Sequence, residues 1–142
     1  MTPPRREPLV LLAEDDDDMR ELVAKHLRRE GMRVVEVEDG FELSDYLALC
    51  RPGSEVREPD VVVTDVRMPG ESGPEALLHS HFHHSPVVLM TAHLDAEARA
   101  FAVRVGVVAI FEKPFELKEL VGAIRKLTGG AKLPPLDLTR QG

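Results

Sequence analysis

The residues of this chain with the greatest capacity for chemistry are a small polar set that directly follows apolar segments. They are Glu14, Asp15, Asp65, Thr91 and Lys113. Asp65 ends the apolar run 61–64 and precedes Met68-Pro69-Gly70, a sequence that forces the chain to turn. One interpretation of Asp65 is a reactive carboxylate held at the end of a buried strand. The other is an acid that only closes a strand or caps a turn.

Five apolar segments rich in valine and leucine predict β-strands. These segments are 9–13, 32–38, 61–65, 86–92 and 107–111. Helical patterns are predicted at 19–30, 41–50, 74–78, 95–105 and 115–127. This alternation predicts right-handed βαβ units and a parallel sheet covered by helices on both faces. The pattern alone leaves the strand order open, whereas a closed eight-stranded α/β barrel would need many more residues.

In a parallel sheet the carboxyl ends of the strands share one edge, and ligand chemistry takes place at that edge. The polar set is therefore expected to meet there. Three carboxylates brought together would repel one another, and Mg²⁺, which prefers oxygen ligands, would relieve that repulsion. We predict Asp15 and Asp65 as direct ligands and Glu14 as a ligand through water. The backbone carbonyl of Arg67 is predicted as a third direct ligand.

A second oxygen of Asp65 would remain free to attack a phosphoryl group, giving an aspartyl phosphate. The cation and Lys113 would then neutralise charge on the transferred oxygens. Thr91 is predicted to donate a hydrogen bond to the phosphoryl group once it is present. The added charge at the sheet edge would be able to shift the equilibrium between two conformations of the surface around it.

The composition argues against several other classes of function. The chain has 18 basic and 25 acidic residues, and its formal net charge of −7 argues against nucleic-acid binding as the main role. The single cysteine, Cys50, cannot form an internal disulfide, which favours a reducing cytoplasm. No apolar run approaches the roughly 20 residues needed to span a membrane. We expect a polar N-terminal extension at 1–8, one domain at 9–127, and a tail or the start of a linker at 128–142.

The order and spacing of these residues resemble the receiver domain of two-component response regulators. The resemblance covers 9–127, nearly the whole chain. It rests on Glu14-Asp15, Asp65-Val66-Arg67-Met68-Pro69 with Gly73, Thr91-Ala92, and Lys113-Pro114-Phe115. It implies the flavodoxin-like (βα)5 fold, a doubly wound parallel sheet with strand order 2-1-3-4-5, and a cis Lys113–Pro114 bond.

The resemblance also implies how such a domain is used. Asp65 would be the phosphoacceptor, Thr91 and Lys113 would assist the transfer, and Mg²⁺, or Mn²⁺ in its place, would be the cofactor. The phosphodonor would be a histidine kinase or a histidine phosphotransfer protein. The response would pass to a downstream protein target or a fused output domain, with homodimerisation through the fourth helix, fifth strand and fifth helix. The domain would be no enzyme beyond assisting its own phosphorylation and dephosphorylation, and it would bind neither nucleic acid nor membrane directly.

One position departs from the family pattern. The family usually has Tyr or Phe three residues before the lysine as a rotameric switch, and this chain has Ile110 there. Phe111 cannot substitute, because adjacent side chains of a strand face opposite sides of the sheet. We expect the signal to pass through Thr91 and the loop after it, or through the surface of the fourth helix, fifth strand and fifth helix. Arg67 and His93 are predicted to flank the phosphoryl group and to tune its hydrolysis.

Several alternatives remain open at the level of sequence. A phosphatase with Asp65 as nucleophile would need a general acid two residues later, where this chain has Arg67. A flavin-binding module would need a phosphate-cradling loop after the first strand, where the acids 14–18 would instead repel phosphate. A separate interpretation is that these acids serve only as the start of a helix. A degenerate receiver would act as a phosphorylation-independent interaction module. The histidines at 79, 81, 83 and 84 could form a transition-metal site, but solvated histidines at a helix end are the simpler interpretation.

Overall fold

The computed structural model of the chain describes residues 7–68, 70, 75–77 and 85–138. The strands are β1 Leu9–Ala13, β2 Arg33–Val37, β3 Val61–Asp65, β4 Val87–Thr91 and β5 Ala109–Glu112. Helices α1 Asp17–Arg29 and α2 Gly40–Leu49 precede β3. Helical residues 75–77 mark α3 between β3 and β4, and α4 Ala96–Val105 and α5 Leu117–Thr128 complete the order.

The strands form a single sheet in the order β2-β1-β3-β4-β5, and every neighbouring pair is parallel. This confirms the flavodoxin-like order 2-1-3-4-5. Strands β1, β3 and β4 occupy the middle, and all of their residues are buried. A strand covered by helices on both faces has no solvent-facing side, which is why these strands are continuous apolar runs.

Two apolar clusters hold the helices against the sheet. Side chains alternate between its faces, so Leu11 and Val62 belong to one cluster and Val10 and Val63 to the other. Helices α2 and α4 contribute to the first cluster, and α1 and α5 contribute to the second. Each fully buried leucine or valine stabilises the fold by roughly 1.5–3 kcal/mol. The strand ends that carry the polar set therefore rest on a well-packed support.

Aspartate side chains cap the N-termini of three helices. Asp16 accepts a hydrogen bond from the Met19 amide at 2.9 Å, and Asp39 and Asp95 cap α2 and α4 in the same way. A side-chain oxygen at this position satisfies an amide that the helix itself leaves without a partner. The cap explains why α1 begins at Asp17, two residues before the predicted start.

The largest later differences from the prediction, of two residues each, are at the starts of β5 and α5, and several other ends differ by one residue. Strand β5 begins at Ala109 and not at 107, because Gly106 ends α4 in the left-handed conformation (φ 78°) and the next residues complete the turn. Helix α5 begins at Leu117 and not at 115. The Lys113–Pro114 bond between them is cis, as the resemblance implied.

Part of the sequence prediction falls outside the described residues. The histidines at 79, 81, 83 and 84 lie there, as do Pro69 and Gly73 of the family pattern. Of the predicted third helix, residues 75–77 are described, and they are helical. Within the described ranges, no helix is long and apolar enough to cross a membrane.

Candidate functional site

The register of the central strands brings together the acids at the carboxyl ends of β1 and β3. Ala13 of β1 is the register partner of Thr64 of β3. Glu14 and Asp65 follow these two residues directly, so they lie side by side at the carboxyl edge of the sheet. Carboxylate oxygens of Glu14, Asp15 and Asp65 lie within 4.8 Å of one another. Glu14 is fully buried, Asp65 is nearly so, and Asp15 is exposed.

Lys113 supplies the positive charge among these acids. It follows β5, and its amide donates a hydrogen bond to the Thr91 carbonyl at 2.8 Å. Its ammonium donates to Glu14 Oε1 at 2.5 Å and to Asp65 Oδ2 at 2.6 Å. A single lysine thus bridges carboxylates delivered by two central strands. Hydrogen bonds between an ammonium and a carboxylate are charge-assisted and are stronger than those between neutral groups.

Burial governs the ionisation of the Glu14–Lys113 pair. Desolvation of the carboxylate raises the pKa of Glu14 to about 7; the Lys113 hydrogen bond opposes this rise and the Asp65 charge adds to it. For Lys113, burial acts to lower the pKa, but the hydrogen bonds to Asp65 and Glu14 outweigh it and the pKa is raised. Lys113 therefore remains charged at neutral pH.

The donor set fits a hard divalent cation. Glu14, Asp15 and Asp65 offer only oxygen atoms, and Mg²⁺ prefers oxygen ligands and retains several waters. Lys113 alone leaves these three carboxylates incompletely compensated, and a divalent charge would remove the excess. Asp15 is exposed, so an ion would reach the group from solvent.

Thr91 ends β4 with its side chain fully buried. Its hydroxyl donates to the His93 carbonyl at 2.9 Å, and the His93 amide lies 3.3 Å from the same hydroxyl. These contacts close a tight local turn on which His93 is exposed. The Thr91 hydroxyl would have to leave the His93 carbonyl before it could donate to a phosphoryl group.

The amide and the side chain of Arg67 contact different parts of the molecule. The amide donates to Asp65 Oδ1 at 3.1 Å. The guanidinium donates to Asp95 at 2.7 Å and to Glu97 at 3.1 Å, at the start of α4. These ion pairs were not foreseen from the sequence. The predicted position of Arg67 beside a phosphoryl group stays a prediction.

Arg20 is a second residue that the sequence reasoning missed. Its guanidinium donates to the Glu14 carbonyl at 2.8 Å and to Asp17 at 2.7 Å, and it lies 3.5 Å from Glu36 of β2. The contact with the Glu14 carbonyl supports the loop that carries the acids. A basic residue three positions after Asp17 on a helix was the available signal, because side chains at this spacing are neighbours.

Ile110 and Phe111 face opposite sides of the sheet, as strand geometry predicts. Ile110 packs against the cluster that contains Leu89. Phe111 packs against the other cluster and meets Phe115 edge-on, with ring centroids 5.8 Å apart. Phe111 therefore does not replace the aromatic ring that the family usually has at the position of Ile110.

Known proteins resemble this chain over most of its length. The family model described as response regulator receiver domain matches residues 10–125. The C4-dicarboxylate transport transcriptional regulatory protein DctD of Pseudomonas aeruginosa is 35% identical over 119 residues, which make up 82% of this chain and 24% of that protein. The transcriptional regulatory protein FixJ of Azorhizobium caulinodans is 33% identical over 122 residues, 84% of this chain and 54% of that protein. The chain thus spans about a quarter of DctD and about half of FixJ.

Solved structures share the fold. A response regulator receiver protein from Burkholderia phymatum matches with a TM-score of 0.71 at 30% identity, covering 92% of this chain and 100% of that one. A CheY-like response regulator receiver domain protein from Methanospirillum hungatei matches with a TM-score of 0.76 over 88% of this chain and 96% of that one. At 18% identity, the second likeness concerns the fold alone.

Proposed function

The chain belongs to the response regulator receiver domain family, and we propose that Asp65 is the residue on which it accepts a phosphoryl group. Its curated relatives are regulatory proteins, and the comparisons do not favour a phosphatase or a degenerate interaction module. The position of Asp65 is the observation that supports the choice. Its carboxylate is almost fully buried at the end of the central strand, accepts a hydrogen bond from Lys113 and lies close to two further acids.

The residues of the site have separate tasks in the transfer. A carboxylate oxygen of Asp65 attacks the phosphorus of a phosphohistidine; the new O–P bond forms as the N–P bond breaks, and the imidazole leaves. Lys113, already paired with Asp65, neutralises charge on the transferred oxygens. Thr91 donates to one of these oxygens after its hydroxyl leaves the His93 carbonyl. We ascribe no catalysis to the chain beyond its own phosphorylation and dephosphorylation.

The metal belongs to the same proposal. Asp15, Asp65 and the backbone carbonyl of Arg67 would hold Mg²⁺ directly, with Glu14 acting through water, and Mn²⁺ could take its place. When bound, the ion supplies positive charge that offsets the repulsion between the carboxylates and the incoming phosphoryl oxygens. Arg67 and His93 are proposed to flank the phosphoryl group and to tune its hydrolysis.

We propose a histidine kinase or a histidine phosphotransfer protein as the phosphodonor. A protein target or a fused output domain would receive the signal, since DctD and FixJ are transcriptional regulatory proteins longer than this chain. The net charge of −7 supports contact with proteins and not with nucleic acid. Homodimerisation through the α4–β5–α5 surface and a location in the cytoplasm are further parts of the proposal.

Phosphorylation by acetyl phosphate, followed by measurement of the intact-protein mass, tests the role of Asp65. With Mg²⁺, the wild type is expected to gain one phosphoryl group that hydroxylamine removes, because hydroxylamine cleaves acyl phosphates. Asp65→Asn and a Mg²⁺-free sample should gain none. Asp45→Asn changes an exposed aspartate of α2 and, as the matched control, should behave like the wild type.

Two results would contradict the proposal. No gain of mass by the wild type, together with no binding of beryllofluoride, would favour a degenerate receiver that acts without phosphorylation. A gain of mass by Asp65→Asn equal to that of the wild type would show that another residue is the acceptor.

A further inference from the structure

The loop between β4 and α4, residues 91–95, is held by one contact within the loop and by two contacts to other elements. They are Thr91 Oγ1 to the His93 carbonyl at 2.9 Å, the Leu94 amide to Glu112 Oε2 at 3.0 Å, and the Arg67 guanidinium to Asp95 Oδ2 at 2.7 Å. Each involves a residue at or near the site: Thr91 itself, the neighbour of Lys113, and the residue two positions after Asp65. A rearrangement at the site would therefore reach this loop directly.

Arg67 is the cation among these three contacts. The backbone amide of Arg67 donates a hydrogen bond to Asp65 Oδ1 at 3.1 Å, which holds its backbone beside that carboxylate. Its guanidinium is about half exposed, and so are its partners Asp95 and Glu97, the latter more than half. Exposed ion pairs contribute little free energy, so a stronger anion nearby would compete well for the guanidinium.

We propose that Arg67 exchanges its ion-pair partners when Asp65 is phosphorylated, and that this charge exchange couples phosphorylation to the start of α4. This inference rests on the proposed function, since it needs a phosphoryl group on Asp65. Such a group adds a charge of roughly −1.5 to −2 and three acceptor oxygens. Arginine binds phosphate oxygens with two parallel hydrogen bonds. The guanidinium therefore leaves Asp95 and Glu97 and binds the phosphoryl group.

The exchange changes the start of α4. Asp95 has two tasks: its Oδ1 caps the helix by accepting from the Ala98 amide at 2.9 Å, while its Oδ2 binds Arg67. When Arg67 leaves, Asp95 and Glu97 remain as neighbouring like charges, and one of the contacts that hold the loop is lost. The start of α4 is then free to move without any aromatic ring at the position of Ile110.

Nuclear magnetic resonance of the full chain tests the exchange, with beryllofluoride and Mg²⁺ as the phosphoryl mimic. The double variant Asp95→Asn with Glu97→Gln removes the negative charge of both partners of Arg67, and asparagine preserves the helix cap. Without the mimic, the amides of His93 and Leu94 in this variant are expected to shift toward the positions that they take in the wild type with the mimic.

A matched control separates the loss of these ion pairs from the loss of charge. Glu116→Gln with Glu119→Gln removes two exposed carboxylates from the start of α5. The amides of His93 and Leu94 should keep their wild-type positions in this control.

The guanidinium of Arg67 is the second readout. Its nitrogen resonances, assigned by their loss in Arg67→Gln, are expected to change when the wild type binds the mimic. Arg67→Gln should bind the mimic more weakly, because it lacks the guanidinium, so the spectra are compared at beryllofluoride concentrations that saturate each protein. At saturation the α4 amides of Arg67→Gln should respond less than half as much as in the wild type.

The outcomes separate this inference from the proposed function. Equal amide shifts in the double variant and the α5 control would overturn the charge exchange while leaving phosphorylation of Asp65 intact. An Arg67 guanidinium that the mimic leaves unchanged would do the same. Failure of the wild type both to bind beryllofluoride and to gain mass from acetyl phosphate would overturn the proposed function, and the charge exchange with it.

Discussion

The ionisation of Glu14 depends on folding. This residue is fully buried and bonded to Lys113, and burial raises its pKa from 4.5 to about 7. Between these two pH values the folded chain binds a proton at Glu14 that the unfolded chain does not. The free energy of unfolding should therefore fall as pH rises through this range. Lys113 does not alter the sign, because its raised pKa affects stability only above its ordinary value of 10.5.

We predict that the metal-free wild type loses roughly 1–3 kcal/mol of unfolding free energy through Glu14 between about pH 4.5 and 7. Glu14→Gln cannot ionise and should lack this part of the pH dependence. Denaturant unfolding with a chelator present, repeated across this range, measures both profiles. Parallel profiles for the two proteins would contradict a raised pKa at Glu14.

The sequence predicted that Glu14, Asp65 and Lys113 come together, but it did not predict the hydrogen bonds around them. Each of these residues lies at the carboxyl end of a strand or directly after it, and parallel strands bring such residues to one edge. The bond from Arg67 to Asp95 was not predictable in the same way. A long side chain in a loop takes its partner from the final positions of elements that are distant in sequence.

The strands and helices follow from local sequence more closely than the contacts of the site do. Strand β1 was predicted with its observed bounds, because a buried parallel strand is a continuous apolar run. Strand β5 was predicted two residues early, because Val107 is buried although it precedes the strand pairing. Phe115 likewise packs against Phe111 from outside α5. Burial and hydrogen-bonded structure coincide only in part, so apolar patterns place an element better than its ends.

Helix capping gives a prediction at this scale that is independent of the site. Asp39 accepts a hydrogen bond from the Glu42 amide at 2.8 Å and begins α2. Asp39→Ala should lower the free energy of unfolding by about 1 kcal/mol, whereas Asp39→Asn should cost little because asparagine caps equally well. Denaturant unfolding measures both. Asp45→Ala, an exposed change within the same helix, is the control, and a loss in it as large as in Asp39→Ala would contradict the assignment of the cap.

The strand order is what gathers the site from the whole molecule. The alternation of apolar strands with helices along the chain predicted a parallel sheet but was compatible with more than one strand order. Only the family resemblance selected the order 2-1-3-4-5. The observed sheet places β3 between β1 and β4. Asp65 therefore lies between the loop of Glu14 and Asp15 on one side and that of Thr91 on the other.

Because the proposed metal ligands come from β1 and β3, Mg²⁺ should stabilise the folded domain as a whole. At a Mg²⁺ concentration tenfold above its Kd, the gain in unfolding free energy would be about 1.4 kcal/mol. Asp15→Asn should lose most of this gain and should make the metal-free protein slightly more stable, because it removes one of the three carboxylates.

Thermal unfolding with Mg²⁺ and with a chelator measures this difference. Asp18→Asn changes an exposed acid in the first turn of α1 and should retain the full response to Mg²⁺. A gain in Asp15→Asn equal to that of the wild type would exclude Asp15 as a ligand.

Borohydride reduction of the phosphorylated chain locates the acceptor residue. Borohydride converts an aspartyl phosphate to homoserine, and tandem mass spectrometry of the peptides identifies the converted residue. After treatment with acetyl phosphate and Mg²⁺, we predict conversion of Asp65 alone, and no conversion when acetyl phosphate is omitted. Conversion of Asp15 or of another acid in the run 14–18, with Asp65 unchanged, would contradict the assignment of Asp65 as the phosphoacceptor.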